Sequence, residues 1–209
     1  MLDVTSFPPT EKRKQFELRA LALRDFANVA PDEALDPFAL AEFARLLVVD
    51  FDQIKGLSDE SREHLLGPGT NQWSGGACSQ PLPNGWRLVI LNPAHGTHRN
   101  RATLMEEISH VFLGHTANRL AVAVDEKKGS GTRVLARDYN KADEEAAYAI
   151  GSAALVPYTA LRKLVLDGRT SDQIARRFRV SRQLVEYRIK VTRLWAAYKS
   201  LSGSRTHHV

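Results

Sequence analysis

The 209-residue chain is poor in cysteine, having only Cys78. That excludes a disulfide framework and makes a reducing cytoplasm the simplest setting. It has no apolar run approaching the ~18 residues that a membrane helix needs. The first residues, Met1 to Pro9, lack a basic stretch followed by an apolar core, so no secretory leader is expected there. There is no internal repeat and no low-complexity tract. What remains is ordinary: 43% hydrophobic and 25% charged residues, enough for one sizeable core and too apolar for wholesale disorder.

Charge is unevenly placed. Residues 161–209 carry 12 Lys/Arg against 3 Asp/Glu, whereas residues 1–160 carry 17 against 21. The net +5 therefore averages an acidic part and a strongly basic end, two regions suited to different partners.

Punctuation and periodicity predict a mostly helical α+β protein with a small antiparallel sheet in the middle. Phe16, Ala20, Leu23 and Ala27 share one face of a helix over 11–28. A second helix is expected from Pro37 to about Leu47, a short strand over 48–51, and a helix from Ser58 to Leu66. Residues 73–78 and 86–91 read as two strands about a turn at Asn84-Gly85. Residues 95–100 then read as a loop. A helix is predicted over about 101–113, stopped by Gly114, and another over 141–155, with a loop containing Gly129-Ser130-Gly131 between them. Two units are expected: residues 1–160, and a basic helical segment, 161–209, packed on it.

The chemistry concentrates on the central helix. Leu104, Ile108, Val111 and Phe112 form its apolar face, and Glu106 and His110 stand one turn apart on another. That is the spacing with which one helix gives a metal ion two ligands. Glu107, three residues before His110, is placed to reach a water at the same ion. The pattern Glu-Glu-x-x-His is one residue from the His-Glu-x-x-His of zinc hydrolases, in which two histidines hold zinc and the glutamate is the general base. Taken alone, it is also compatible with an exposed acidic turn. The di-iron spacing Glu107-x-x-His110 lacks a second such pair, because Glu60 and His64 are four apart. The helix over 141–155 begins with Asp143, Glu144 and Glu145. These suit a helix N-terminus, but the rest of that helix is apolar all round and so buried, which puts the acidic end beside the core.

Residues 101–115, followed by Glu144-x-x-Ala147-x-x-Ile150-Gly151-x-x-Ala154-Leu155-Val156-Pro157, resemble the ImmA/IrrE family of metallo-endopeptidases. The resemblance spans roughly 10–195 and is sharp over about 100–157. It implies a zincin-like fold and a divalent metal, zinc in the family. It also implies a cytoplasmic enzyme that cleaves a regulatory protein of the helix-turn-helix repressor type. Matched position by position, His110 takes the second histidine ligand, Glu107 the catalytic glutamate and Glu144 the glutamate ligand, with Glu145 as its alternate. Glu106 stands where the family has its first histidine, and Tyr148 where it has an asparagine. A Glu/His/Glu set leaves a divalent ion formally neutral, weakens it as a Lewis acid and shifts preference toward manganese or ferrous iron. Activity, slow activity with another metal, and a pseudoenzyme are the three outcomes.

The expected reaction is peptide hydrolysis, with Glu107 taking a proton from water while the metal polarises the scissile carbonyl. His95, His98 and Tyr139 are the polar candidates for the oxyanion. His115 is expected about 140° round the helix from His110 and outside its metal shell.

Residues 168–189 have the form of a helix-turn-helix. Thr170 and Gln173 suit a capping box. Ile174, Ala175 and Phe178 form the inner face of the first helix, Val180 plugs the turn, and Ser181 caps the second. Arg182, Gln183, Glu186, Tyr187 and Lys190 are expected to project outward and to read DNA or a protein partner. The alternative function is therefore a non-catalytic regulator that acts through these helices.

Overall fold

Helix α1 (Glu11–Phe26) lays Ala20 and Leu23 into the core, as its periodicity predicts. The same stripe also buries Glu17 and Arg24, each 1% exposed. Arg24 satisfies backbone carbonyls, donating to Ala154 O at 2.6 Å and to Glu33 O at 2.6 Å. This computed structural model describes residues 6–54, 58–77, 81–115, 120–123, 133–137 and 140–203. Cys78 and Tyr139 lie outside them.

Helix α2 (Pro37–Phe43) starts at Asp36, whose carboxylate accepts from Phe38 N–H at 3.2 Å. It stops earlier than the predicted Leu47 because Arg45 takes a left-handed φ of 53°. Strand β1 (Leu46–Val49) follows immediately, two residues ahead of the predicted strand, and Phe51–Gln53 forms a 3-10 turn. Arg45 O accepts from Arg87 N–H at 2.9 Å, which aligns β1 with the later strand β3 (Arg87–Leu91).

Helix α3 (Asp59–Leu66) is capped by Ser58, as expected. Strand β2 (Gly75–Ala77) pairs antiparallel with β3 (Gly75↔Leu91, Ala77↔Val89). Gly85, in the predicted turn, has φ of 80°. The sheet order is β1-β3-β2 and β1/β3 is parallel, so the sheet is mixed rather than purely antiparallel. Among the described residues, β2 pairs on one side only.

Helix α4 (Thr97–Phe112) begins four residues before its predicted start. Asn100 Nδ2 donates to Asn92 O at 3.1 Å and His95 O at 3.3 Å, tying the first turn to the end of β3. Leu104, Met105 and Ile108 are buried, but Phe112, expected on the apolar face, is 46% exposed. The segment predicted as a loop after α4 contains strands β4 (Leu120–Ala123) and β5 (Arg133–Arg137), paired antiparallel with an irregularity at Ala121/Val122.

Helix α5 (Lys141–Leu155) is capped by Asn140 Oδ1, which accepts from Ala142 N–H at 3.0 Å. It packs antiparallel on α4. Ala147 and Gly151 face the contact, and a Cβ on Gly151 would sit 3.1 Å from Met105 O, so the backbones approach as closely as glycine allows. Helix α6 (Tyr158–Leu166) follows at a 57° bend, and no single helix among the described residues is long and apolar enough to cross a membrane.

Helices α7 (Ser171–Phe178) and α8 (Arg182–Val191) form the expected pair, with the Thr170/Gln173 capping box and the Ser181 cap in place. Ile174, Phe178, Val180, Leu184, Val185 and Ile189 are buried between them and the core. Arg188 is 2% exposed; its Nη2 donates to Glu17 Oε2 at 2.7 Å and its Nε to Val156 O at 3.1 Å. Helix α9 (Trp195–Gly203) closes against α6 and α8.

Candidate metal centre

The antiparallel contact of α4 and α5 brings the end of one helix to the start of the other. Glu106 and His110 leave α4 one turn apart, and Glu144 leaves the first turn of α5. One ligand atom from each of the three lies within 4.8 Å of the others, and His110 Nε2 is 3.7 Å from Glu144 Oε2. Two ligands that each sit about 2.1 Å from a tetrahedral ion are about 3.4 Å apart, so this spacing fits a shared cation. Glu145, the alternate ligand, turns the other way and accepts from Lys12 Nζ at 2.8 Å.

The electrostatics also call for a cation. Burial, then the Glu107 carboxylate, then that of Glu144, push the Glu106 carboxyl up from its ordinary 4.5 to about 7. Burial holds the His110 imidazole below its ordinary value; Glu144 and Asp143 oppose that effect and His115 adds to it. His110 therefore tends toward the neutral form that binds metals.

These groups open into a cleft of about 320 Å³. Glu107 lines it, next to Glu106 and His110, and strand β2 forms part of its wall. Arg87 lines it too, a cation among carboxylates that the sequence reading missed. Its signal was phase: Arg87 alternates with Val89 and Leu91, which are buried, and so shares their face of β3. His95 and His98 do not line the cleft. The ring nitrogens of His95 are instead buried without a hydrogen-bond partner, and burial holds its pKa down, with Arg99 adding to the effect.

His115 was expected away from His110, yet the two rings meet, with Nδ1 to Nδ1 at 3.0 Å. The expected 140° assumed a continuing helix. The helix ends at Phe112, and Gly114, at φ 68°, turns the chain back. His115 Nε2 in turn lies 3.5 Å from Asp143 Oδ1.

Of the residues expected to face a partner on α8, Gln183 and Lys190 are exposed, with Lys190 Nζ 5.0 Å from the Trp195 ring centroid. Arg182 is exposed and donates to Glu186 Oε1 at 2.7 Å. Tyr187 is only half-exposed, because it packs edge-on against Tyr148 of α5 with centroids 5.0 Å apart. Burial, then Tyr187 and Glu106, push the Tyr148 phenol up.

A mostly helical α+β fold with a small mixed sheet thus carries a Glu/His/Glu cluster that lines a cleft. The family model of the IrrE N-terminal-like domain, peptidase M78, matches residues 79–190, and the chain belongs to that family. Neither a curated protein nor a solved structure gives a significant match.

Proposed function

We propose that the protein is a cytoplasmic, metal-dependent endopeptidase that cuts an extended segment of a regulatory protein, of the repressor type, in a bacterial or mobile-element switch. The observation that carries this reading is the convergence of Glu106, His110 and Glu144 beside Glu107 in one cleft. A divalent ion held by those three side chains, zinc by family or manganese or ferrous iron by the oxygen-rich donor set, supplies a Lewis acid for the scissile carbonyl.

The chain's own groups do the rest. Glu107 takes the proton of the attacking water and returns it to the leaving amine. The edge of β2 that pairs with no described strand offers backbone N–H and C=O groups to an extended peptide, which adds to it as a strand. Arg87 is placed in the same cleft to hold a substrate carbonyl or the developing oxyanion.

The test is Glu107→Gln. New protein N-termini are mapped in cells making the parent or the variant, and the metal content of both purified proteins is measured. Retained metal with cleavage down about 10²–10⁴-fold is expected. The same N-termini from both proteins would overturn the assignment. If the variant keeps its biological effect without cleavage, the second reading stands: a regulator acting through the α7–α8 pair, whose turn, caps and exposed Gln183 and Arg176 favour it.

A further inference from the structure

We infer that His115 and Asp143 are positioning residues that fix the tautomer and orientation of His110. The inference rests on the metal-centre reading above and names two further residues that serve it.

The chain path creates the contact. After α4, Gly114 N–H bonds Val111 O at 3.0 Å and His115 N–H bonds His110 O at 3.0 Å. These crossed bonds, with Gly114 left-handed, are the Schellman ending, which folds the second residue past the helix onto its last turn. That contact is usually apolar. Here it is His115 on His110, with rings at 65° and centroids 5.1 Å apart.

Two imidazoles that meet through their Nδ1 atoms need one proton between them. His110 Nε2 faces Glu144 Oε2 at 3.7 Å, and a cation there requires its lone pair. The proton of neutral His110 then sits on Nδ1 and is donated to His115 Nδ1 at 3.0 Å. His115 Nδ1 must therefore be bare, so its own proton is on Nε2, facing Asp143 Oδ1 at 3.5 Å. In this order the Nδ1 proton of His110 has an acceptor and the Nε2 proton of His115 faces a carboxylate, while His110 keeps a lone pair toward the position a cation needs. The opposite order would aim a lone pair of His115 at a carboxylate and fill the ligand position of His110 with a proton. Asp143 thus selects the order that leaves His110 Nε2 open, as outer-shell carboxylates do for metal-binding histidines. Glu144 and Asp143 are neighbours on the first turn of α5, so one helix end carries both a ligand and the anchor of the relay.

The experiment uses the full chain, metal-free, as the parent and as His115→Ala, His115→Asn and Asp143→Ala. Asparagine at 115 can place Oδ1 where Nδ1 was and keeps an acceptor for His110. Long-range ¹H–¹⁵N NMR reads the His110 tautomer, and titration with zinc and with manganese reads affinity. The parent is expected to show Nδ1–H on His110. His115→Ala should lose that tautomer and about 10–100-fold in affinity. Asp143→Ala should move both readouts the same way, and His115→Asn should restore both to near the parent. The inference is overturned if His115→Ala keeps the parent tautomer, or if His115→Asn is as impaired as His115→Ala while remaining folded by circular dichroism. If the parent itself binds neither ion, the metal-centre reading fails, and the tautomer alone decides the relay.

Discussion

A buried and a half-buried carboxylate in this protein meet opposite fates. Glu17 on α1 is 1% exposed and is answered from within the chain: Arg188 donates at 2.7 Å, and Tyr158 N–H donates as well. Glu106 on α4 is half-buried, but its neighbours are Glu107 and Glu144, and its carboxyl is pushed up to about 7. A fold able to bring a guanidinium to one carboxylate across 171 residues has gathered like charges round another. The first arrangement ties the N-terminal helix to the basic end and serves the fold. The second costs stability unless a cation comes from outside, as is typical of a functional site.

The largest effect should come from breaking the matched pair. Arg188→Leu removes the guanidinium and strands Glu17 in the core. Denaturant unfolding should show a loss of about 3–5 kcal/mol, and adding Glu17→Leu should recover most of it. A single variant within about 1 kcal/mol of the parent, the scale of a surface pair, would mean that this ion pair does not join α1 to α8.

A smaller effect follows from relieving the unmatched group. Because the Glu106 carboxyl is raised to about 7 from 4.5, the folded chain holds its proton more tightly than the unfolded chain does. Its penalty is absent below the unfolded value, grows as pH rises between the two, and is complete above the folded value. Metal-free Glu106→Gln should therefore be more stable than the parent above pH 7, and the gap should close as pH falls toward 4.5. With excess manganese or zinc the order should reverse, since an ion that binds only the folded parent adds to its stability. Thermal melts across pH check both, and a gap that ignores pH would show that the like charges cost the fold nothing.

The acidic cluster was far more legible in the sequence than the Glu17–Arg188 pair. Glu106, Glu107 and His110 lie within five residues of one helix, so spacing alone placed them together. Glu144 needed the family resemblance. The α7–α8 pair was legible because its signals are local, a capping box and a serine cap. Long-range partners were not. Arg188 shares the helical phase of Leu184, Val185 and Ile189, but nothing near Glu17, Arg24 or Arg188 names a partner, because the partners come from distant segments. The parallel pairing of β1 depends on Arg45 turning left-handed and on a strand 41 residues away, and neither has a periodicity to read. His115 was misplaced for a related reason: the glycine that stops α4 was visible, but the direction in which it sends the next residue was not.

The smallest effect is the one that separates neighbours. Glu144 and Glu145 are adjacent, and about 100° of helix rotation sends one to His110 and the other to solvent. Glu145 Oε1 accepts from Lys12 Nζ at 2.8 Å and lies 3.8 Å from Arg13 Nη2, with side chains 42%, 61% and 20% exposed in the order named. The hydrogen bond from Lys12 pulls its carboxyl below the usual range. Water and salt screen such a pair, so Glu145→Ala should change stability by no more than about 1 kcal/mol, and less at high salt. Its affinity for zinc or manganese should equal the parent's, whereas Glu144→Ala removes a ligand and should bind far more weakly. Parallel titrations of the two variants decide it. Equal losses from both would mean that the ion is held by the charge of the α5 N-terminus as a whole, and the contrast between a carboxylate turned to the cleft and one turned to solvent would then dissolve at this helix end.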